Sequence, residues 1–192
     1  MRSWKLAFPV LVSPVLLSIV LAVPRVPAIP PAARQVPEPP SASIEAMRKL
    51  DRWIGEWSGK GWTISREGRR IEFELSETVQ SKVGGTVHLV EGRGAGRTAA
   101  GEELVVHDGI AVVSFDAATG RYRWNGHERG FGAMDAEPVL VDGGFAWTFR
   151  VPETTLRFTI LVDGETWRET GEASADGKAW STFLETTLRR KR

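Results

Sequence analysis

The chain has 192 residues and a formal net charge of +1, and 42% of its residues are hydrophobic. That length suits one domain around one sizeable core, and the absence of cysteine excludes a disulfide framework, a thiolate metal site, a Cys nucleophile and a lipid-modified Cys anchor. Three cations, Arg2, Lys5 and Arg25, lie in the first 28 residues, so the remainder carries 22 basic against 24 acidic residues, a balance that excludes the clustered basic footprint of a nucleic-acid binder.

The N-terminus reads as an export signal over residues 1–28. Arg2 and Lys5 form a positive start, Leu6 to Val23 is apolar, and Val26-Pro27-Ala28 offers a small-residue cleavage site. A retained membrane anchor is the alternative, although Pro9 and Pro14 interrupt the apolar run. Both readings place the domain outside the cytoplasm, periplasmic or secreted, with no membrane span once the signal is cleaved. Residues 29–42 continue as a proline-rich linker; residues 24–40 hold seven prolines and no aromatic residue. The folded domain is read as residues 43–192.

Ser43, with Glu45 and Ala46, starts a short helix, in which Ile44, Met47, Leu50 and Ile54 recur at helical spacing. After Trp57 the period changes to two. Ile71, Phe73 and Leu75 alternate with Glu72, Glu74 and Ser76, and similar runs recur up to Trp180, Thr182 and Leu184. Turn signals separate them at Glu67-Gly68, Gly84-Gly85, Ala118-Thr119-Gly120, Asp142-Gly143-Gly144, Asp163-Gly164 and Asp176-Gly177. The pattern predicts an all-β fold: about ten strands in a closed, antiparallel up-and-down β-barrel behind one short helix.

Leu50-Asp-Arg-Trp-Ile-Gly-Glu-Trp-Ser-Gly-Lys-Gly61, with its Gly-x-Trp-x-Gly-x-Gly opening a first strand after a helix, resembles the calycin superfamily of lipocalins, fatty-acid-binding proteins and nitrobindin-like barrels. Val112 to Tyr122, Trp167 to Glu172 and Asp176 to Arg190 are similar to the central and last hairpins of an uncharacterised secreted bacterial family within it. The resemblance spans about residues 45–190 and implies the fold more than any activity. It implies that Trp57 closes one barrel end beneath a cation from the last strand, Arg189 or Arg190, with Gly55, Gly59 and Gly61 allowing close packing. The nitrobindin branch holds haem through a His on its last strand. The matching stretch here has Phe183 at about that place and no His, so no cofactor is expected.

Alternation assigns faces. With turns centred near residues 97–98 and at 118, Leu89 opposes Val106 and Val112 opposes Trp124. Val87, Leu89, Leu104, Val106, Ile110, Val112, Tyr122 and Trp124 then point inward, with Phe145, Trp147, Phe149, Phe158, Trp167 and Trp180 as candidates to continue that face. Glu77, Glu91, Asp108, Glu128 and Glu169 share the inward register and are placed near the barrel mouth. His88, set opposite His107, and His127 fall on the other face among Arg121, Arg123 and Arg129 and read as surface residues, so no metal site is assigned. Glu169 and Glu172 fall on opposite faces, which argues against a catalytic pair, and Gly92 to Arg97 reads as a hairpin loop; no catalytic residue is assigned. The expected function is binding of a small apolar or amphipathic molecule, with Trp124, Trp147 and Trp167 as stacking surface and Tyr122 and Glu169 orienting its polar group. Two alternatives stand beside it: a barrel isomerase or hydrolase using a carboxylate at the mouth, and a filled barrel acting through a protein partner.

Overall fold

The computed structural model describes residues 36–98 and 100–192; the candidate leader and residues 29–35 of the candidate linker lie outside the described residues. Glu38–Arg192 form one unit. Helix α1 (Ser41–Arg48) and a 3-10 turn at Asp51–Trp53 lead into eleven strands: β1 (Gly55–Ile64), β2 (Arg70–Lys82), β3 (Val87–Arg97), β4 (Glu103–Asp116), β5 (Arg121–Glu128), β6 (Gly132–Ala136), β7 (Val139–Val141), β8 (Gly144–Val151), β9 (Thr154–Asp163), β10 (Thr166–Ser174) and β11 (Ser181–Arg190). They make one antiparallel sheet in the order β6-β5-β4-β3-β2-β1-β11-β10-β9-β8-β7. Consecutive strands pair throughout, except that β1 also pairs with β11 and no ladder joins β6 to β7 among the described residues. The sheet is therefore a half-barrel whose ladder runs from β6 to β7. The count is eleven against the expected ten or so; the short β6 and β7 on either side of Glu137-Pro138 carry too few residues to show a period.

The helix begins at Ser41 behind Pro40, without a side-chain cap. Ser43, expected to start it, instead donates its hydroxyl to the Phe115 carbonyl (3.2 Å) at the tip of β4. This pins the helix across one end of the sheet, where Met47, Leu50 and Trp53 are buried. Trp53 meets Phe145 edge-on at 5.5 Å and Trp167 at 5.1 Å; Trp57 lies 5.7 Å from Trp167 and donates its indole N–H to the Trp53 carbonyl (2.8 Å). These rings plug the helix end of the half-barrel. The Arg190 guanidinium lies 4.1 Å over the Trp57 ring. Arg189, on the outward face, bonds Thr166 instead. Gly55 has φ +138°, a conformation that favours glycine, and a Cβ there would stand 2.5 Å from the Arg190 guanidinium.

The sheet register corrects the face assignment. Residues 117–120 form a four-residue loop, closed by the Gly120 N–H on the Asp116 carbonyl and by the Asp116 carboxylate on the N–H groups of Ala118 and Thr119. Its centre lies half a residue beyond Ala118, so Val113, not Val112, opposes Trp124, and a one-residue change moves every side chain of a strand to the other face. On β3 and β4 the inward residues are therefore His88, Val90, Ala111 and Val113. Leu89 opposes Val112 rather than Val106, and Ile110 and Val112 face out, 47% and 36% exposed. Glu91 is also outward and exposed, and Asp108 faces Arg93 and Arg129 at the surface (3.9 and 3.6 Å). Trp180 precedes β11 and lies on the outside beneath the Arg157 guanidinium, 4.1 Å away.

His88 opposes Val113, not His107. It is fully buried, with both ring nitrogens lacking a hydrogen-bond partner among the described residues and Asp51 at 3.5 Å. Burial lowers its pKa, and the Asp51 charge opposes that only in part. The folded protein resists protonating His88, whereas the unfolded chain takes the proton near the ordinary 6.5. The contribution of His88 to stability is then level above about pH 6.5 and falls below it, by up to about 1.4 kcal/mol per pH unit. Urea midpoints of the wild type and His88→Leu, measured from pH 8 to 5, are expected to run parallel above about pH 6.5 and to diverge below it, with the wild type falling relative to the variant; curves parallel throughout would contradict it.

Candidate functional site

Three strands carry a polar cluster on the inner face. Glu77 of β2 lies opposite Gly92 of β3, which lies opposite Gly109 of β4, which lies opposite Glu128 of β5. The two glycines make the room. A Cβ at Gly92 would stand 2.4 Å from Glu77 Oε1 and 2.5 Å from His107 Nε2, and one at Gly109 2.3 Å from Glu128 Oε2. His107, two residues before Gly109 on the same face, fills that space between the two acids. Its Nδ1 is 2.9 Å from Glu128 Oε2, and its Nε2 is 3.6 Å from Glu77 Oε1. The Asp108 backbone N–H donates to the other Glu128 oxygen (3.0 Å). Glu169 reaches the same interior from β10, opposite Thr186 of β11. Among the described residues Glu169 has no hydrogen bond or ion pair, and the buried Thr186 hydroxyl has no partner either.

The cluster's protonation follows from this packing. Desolvation raises the Glu77 carboxyl to about 8, against the attraction of His107 and with the help of the Glu169 and Glu128 charges. Desolvation likewise raises Glu169 to about 7. For His107, burial works to lower the pKa, but the Glu128 hydrogen bond and the charges of Glu77, Glu128 and Glu169 outweigh it and hold the imidazolium up to about 9. Near neutrality the interior thus holds an imidazolium–carboxylate pair, His107 with Glu128, beside two carboxyls poised between their acid and anionic forms. No group of three or more His, Cys, Asp or Glu side chains among the described residues has metal-binding geometry.

An aromatic wall adjoins the cluster. Trp124 of β5 stacks on Trp147 of β8 (4.5 Å, 20°), Trp147 on Phe158 of β9 (5.5 Å, 14°), and Phe158 on Phe149 (5.7 Å, 5°). The first of these stacks connects β5 to β8 across the break between β6 and β7. Glu169 lies two residues along the same face from Gly171, which opposes Phe158, a separation of about 7 Å. Trp124, Phe149 and Phe158 keep part of their surface exposed, so the interior is lined by rings here, whereas it is filled by them at the helix end.

The structure sorts the expected site residues. Trp124, Trp147 and Glu169 come together around this interior. Trp167, 1% exposed, is sealed in the plug. Tyr122 is also taken up there: its hydroxyl donates to the Ala46 carbonyl (2.8 Å), and its ring meets Phe145 edge-on. Of the three histidines read as surface residues, only His127 is exposed. Glu77 and Glu128, placed at the mouth, flank His107 in the interior, and Thr186 went unread. The available signal was Gly92 and Gly109, bare positions inside strands that mark a close approach of other groups. Phe183, at the bulge of β11, packs edge-on against Phe158 (5.6 Å); that contact offers no ligand for a haem iron. Outside the half-barrel a hollow of about 860 Å³ lies along the ends of β2 and β3, but its Lys60 and Arg70 pair with Glu74 and Glu72 at the surface.

The structure is similar to that of Rv2717c from M. tuberculosis, with 17% sequence identity and a TM-score of 0.56 over 77% of this chain and 98% of that one. It is also similar to the S-type phycobiliprotein lyase CPES from Guillardia theta, with 11% identity and a TM-score of 0.53 over 81% and 99%. The fold is calycin-like. No family model matches the chain and no curated protein matches it in sequence. The calycin-like likeness therefore rests on three-dimensional form, and at these identities it speaks to fold alone.

Proposed function

We propose that this chain is an extracytoplasmic binding protein that holds a small amphipathic molecule inside its half-barrel, the apolar body on the Trp124–Trp147–Phe158 wall and the polar end on the Glu77–His107–Glu169 cluster. The observation that carries the reading is the adjacency of the two surfaces on one inner face. A partly exposed ring wall offers about 25 cal/mol per Å² of apolar surface covered, and a few convergent polar groups set orientation. Placement outside the cytoplasm is supported by Arg2, Lys5, the apolar run to Val23 and the small-residue site at Ala28. The leader's fate is tested by N-terminal sequencing of the mature protein from an export-competent host. A start near Ile29 is expected for a cleaved leader and a start at Met1 in the membrane fraction for a retained anchor; a start at Met1 in the cytoplasmic fraction would refute export.

Tryptophan emission tests the binding. Naphthalene- or indole-bodied probes are expected to quench or blue-shift the wild type, and Trp124→Phe to abolish most of that response while Trp62→Phe, on the outer face of β1, leaves it unchanged. An equal response in both variants would place the probe elsewhere.

A second reading is favoured by the same carboxyls: groups that titrate near neutrality beside an imidazolium suit general acid–base chemistry, so the barrel would be an isomerase or hydrolase. Chemical conversion of a bound probe, lost in Glu169→Gln, would favour it. A bound probe recovered intact favours the carrier.

A further inference from the structure

The inner face carries an unequal set of charges. On β2, β4, β5 and β10 its titratable groups are Glu77, His107, Glu128 and Glu169, with Tyr122 taken up in the plug at the helix end. The inward cation of β11, Arg190, is engaged by the Ile54 and Arg52 carbonyls (2.5 and 2.6 Å), and His88 of β3 is sealed under the helix end. His107 and Glu128 answer each other. That leaves two acids, Glu77 and Glu169, with no donor at hydrogen-bond distance among the described residues, the nearest being His107 at 3.6 Å from Glu77. A second observation points to a ligand independently of the acids. Thr186 is 4% exposed, lies directly opposite Glu169 and has a hydroxyl with no partner. A buried, unsatisfied hydroxyl is costly to a fold, and such groups require explanation in a folded protein. The floor beside it is kept bare by Gly61, where a Cβ would stand 2.7 Å from Thr186 Cγ2 and 3.1 Å from Phe73 Cζ.

We infer that the polar end of the ligand is a monocation bearing N–H donors, an ammonium or protonated nitrogen heterocycle, received by Glu77, Glu169 and the Thr186 hydroxyl, with its flat apolar body against Trp124 and Phe158. The inference rests on the binding reading above. Acceptors outnumber donors at this spot, so a ligand that supplies donors satisfies all three groups at once. A charged donor does so most strongly, because charge-assisted hydrogen bonds are about twice as strong as neutral ones. A carboxylate at the same place would face three acids and one imidazole already held by Glu128.

The test uses one apolar body with three heads, 2-naphthylmethylamine, 2-naphthylmethanol and 2-naphthoate, titrated calorimetrically and by tryptophan emission. At pH 8 the amine is expected to bind at least about tenfold more tightly than the alcohol, and the carboxylate most weakly. Glu169→Gln and Thr186→Val, both close in shape to the native side chains, are expected to cut amine affinity about tenfold and to leave the alcohol within about twofold. Near-UV circular dichroism checks that each variant is folded. A further readout is the proton balance. Near pH 7.5 the amine meets carboxyls that are still partly protonated, so its binding releases a proton, the enthalpy varies with the ionisation heat of the buffer, and affinity falls as pH drops to 6. An amine no tighter than the alcohol, or a preferred carboxylate, overturns the inference and leaves the carrier reading standing. No response to any of the three probes overturns both.

Discussion

Arg190→Ala is expected to lower the unfolding free energy by about 3–5 kcal/mol. The guanidinium of Arg190 does three things at the helix end: it lies 4.1 Å over Trp57, donates to the Ile54 carbonyl at 2.5 Å and donates to the Arg52 carbonyl at 2.6 Å. Hydrogen bonds from a charged donor contribute about 1.5–3 kcal/mol each and a partly desolvated cation–π contact about 0.5–2 kcal/mol; water replaces some of this once the side chain is gone. For a domain of this size each kcal/mol moves the midpoint by about 2–4 °C, so a drop of roughly 6–20 °C is expected by calorimetry. Arg190→Lys keeps the charge but not the fork that spans two carbonyls, and should recover less than half of the loss. Arg189→Ala, on the outward face, should change the midpoint by less than about 2 °C. Equal losses from Arg189 and Arg190 would contradict the geometry.

Glu77→Gln is expected to act in the opposite sense, stabilising the protein at neutral and alkaline pH. The folded chain holds the Glu77 proton to about 8, whereas in the unfolded chain it is released near the ordinary 4.5. This group's contribution is therefore full below about pH 4.5 and is lost as pH rises toward 8. By pH 7 the loss is about 3 kcal/mol, since each unit of difference is worth 1.36 kcal/mol. Glutamine keeps the shape and carries no charge to desolvate, so a gain of about 1–3 kcal/mol at pH 7–8 and almost none at pH 4.5 is expected. Thermal midpoints of the two proteins across that range decide it: curves that diverge above pH 5 support the assignment, and parallel curves refute it. A gain in stability on removing a polar residue is the behaviour of a group kept for function rather than for folding.

Much of this architecture is written in simple patterns. The change of period after Trp57, the turn signals from Gly68 to Gly177 and the Gly55–Trp57 opening foretell an all-β, up-and-down sheet behind a short helix. Trp124, Trp147 and Glu169 are found by the same alternation. The errors share one physical origin. β3 and β4 carry apolar residues on both faces, as in Val87-His-Leu-Val90 and Ile110-Ala-Val-Val113, so their pattern does not specify a register, and the loop at 117–120 decides it by half a residue. That small difference moves His88 and His107 from the surface to the interior and Ile110 and Val112 the other way. The titration of Glu77 was out of reach for another reason: it depends on neighbours 15 to 92 residues away in the chain, at Gly92, His107, Glu128 and Glu169, and the folded register alone brings these together. The shape of β6 and β7 was hidden by their brevity.

The gap between β6 and β7 sets how the wall can yield. Elsewhere, parting two neighbouring strands means breaking a row of backbone hydrogen bonds. Here the edges are held by side chains, chiefly the Trp124–Trp147 stack, a contact worth about 0.5–1.5 kcal/mol beyond its buried area. Thermal breathing is therefore expected to concentrate along this slit, where the two indoles can part while the ladders on either side stay intact.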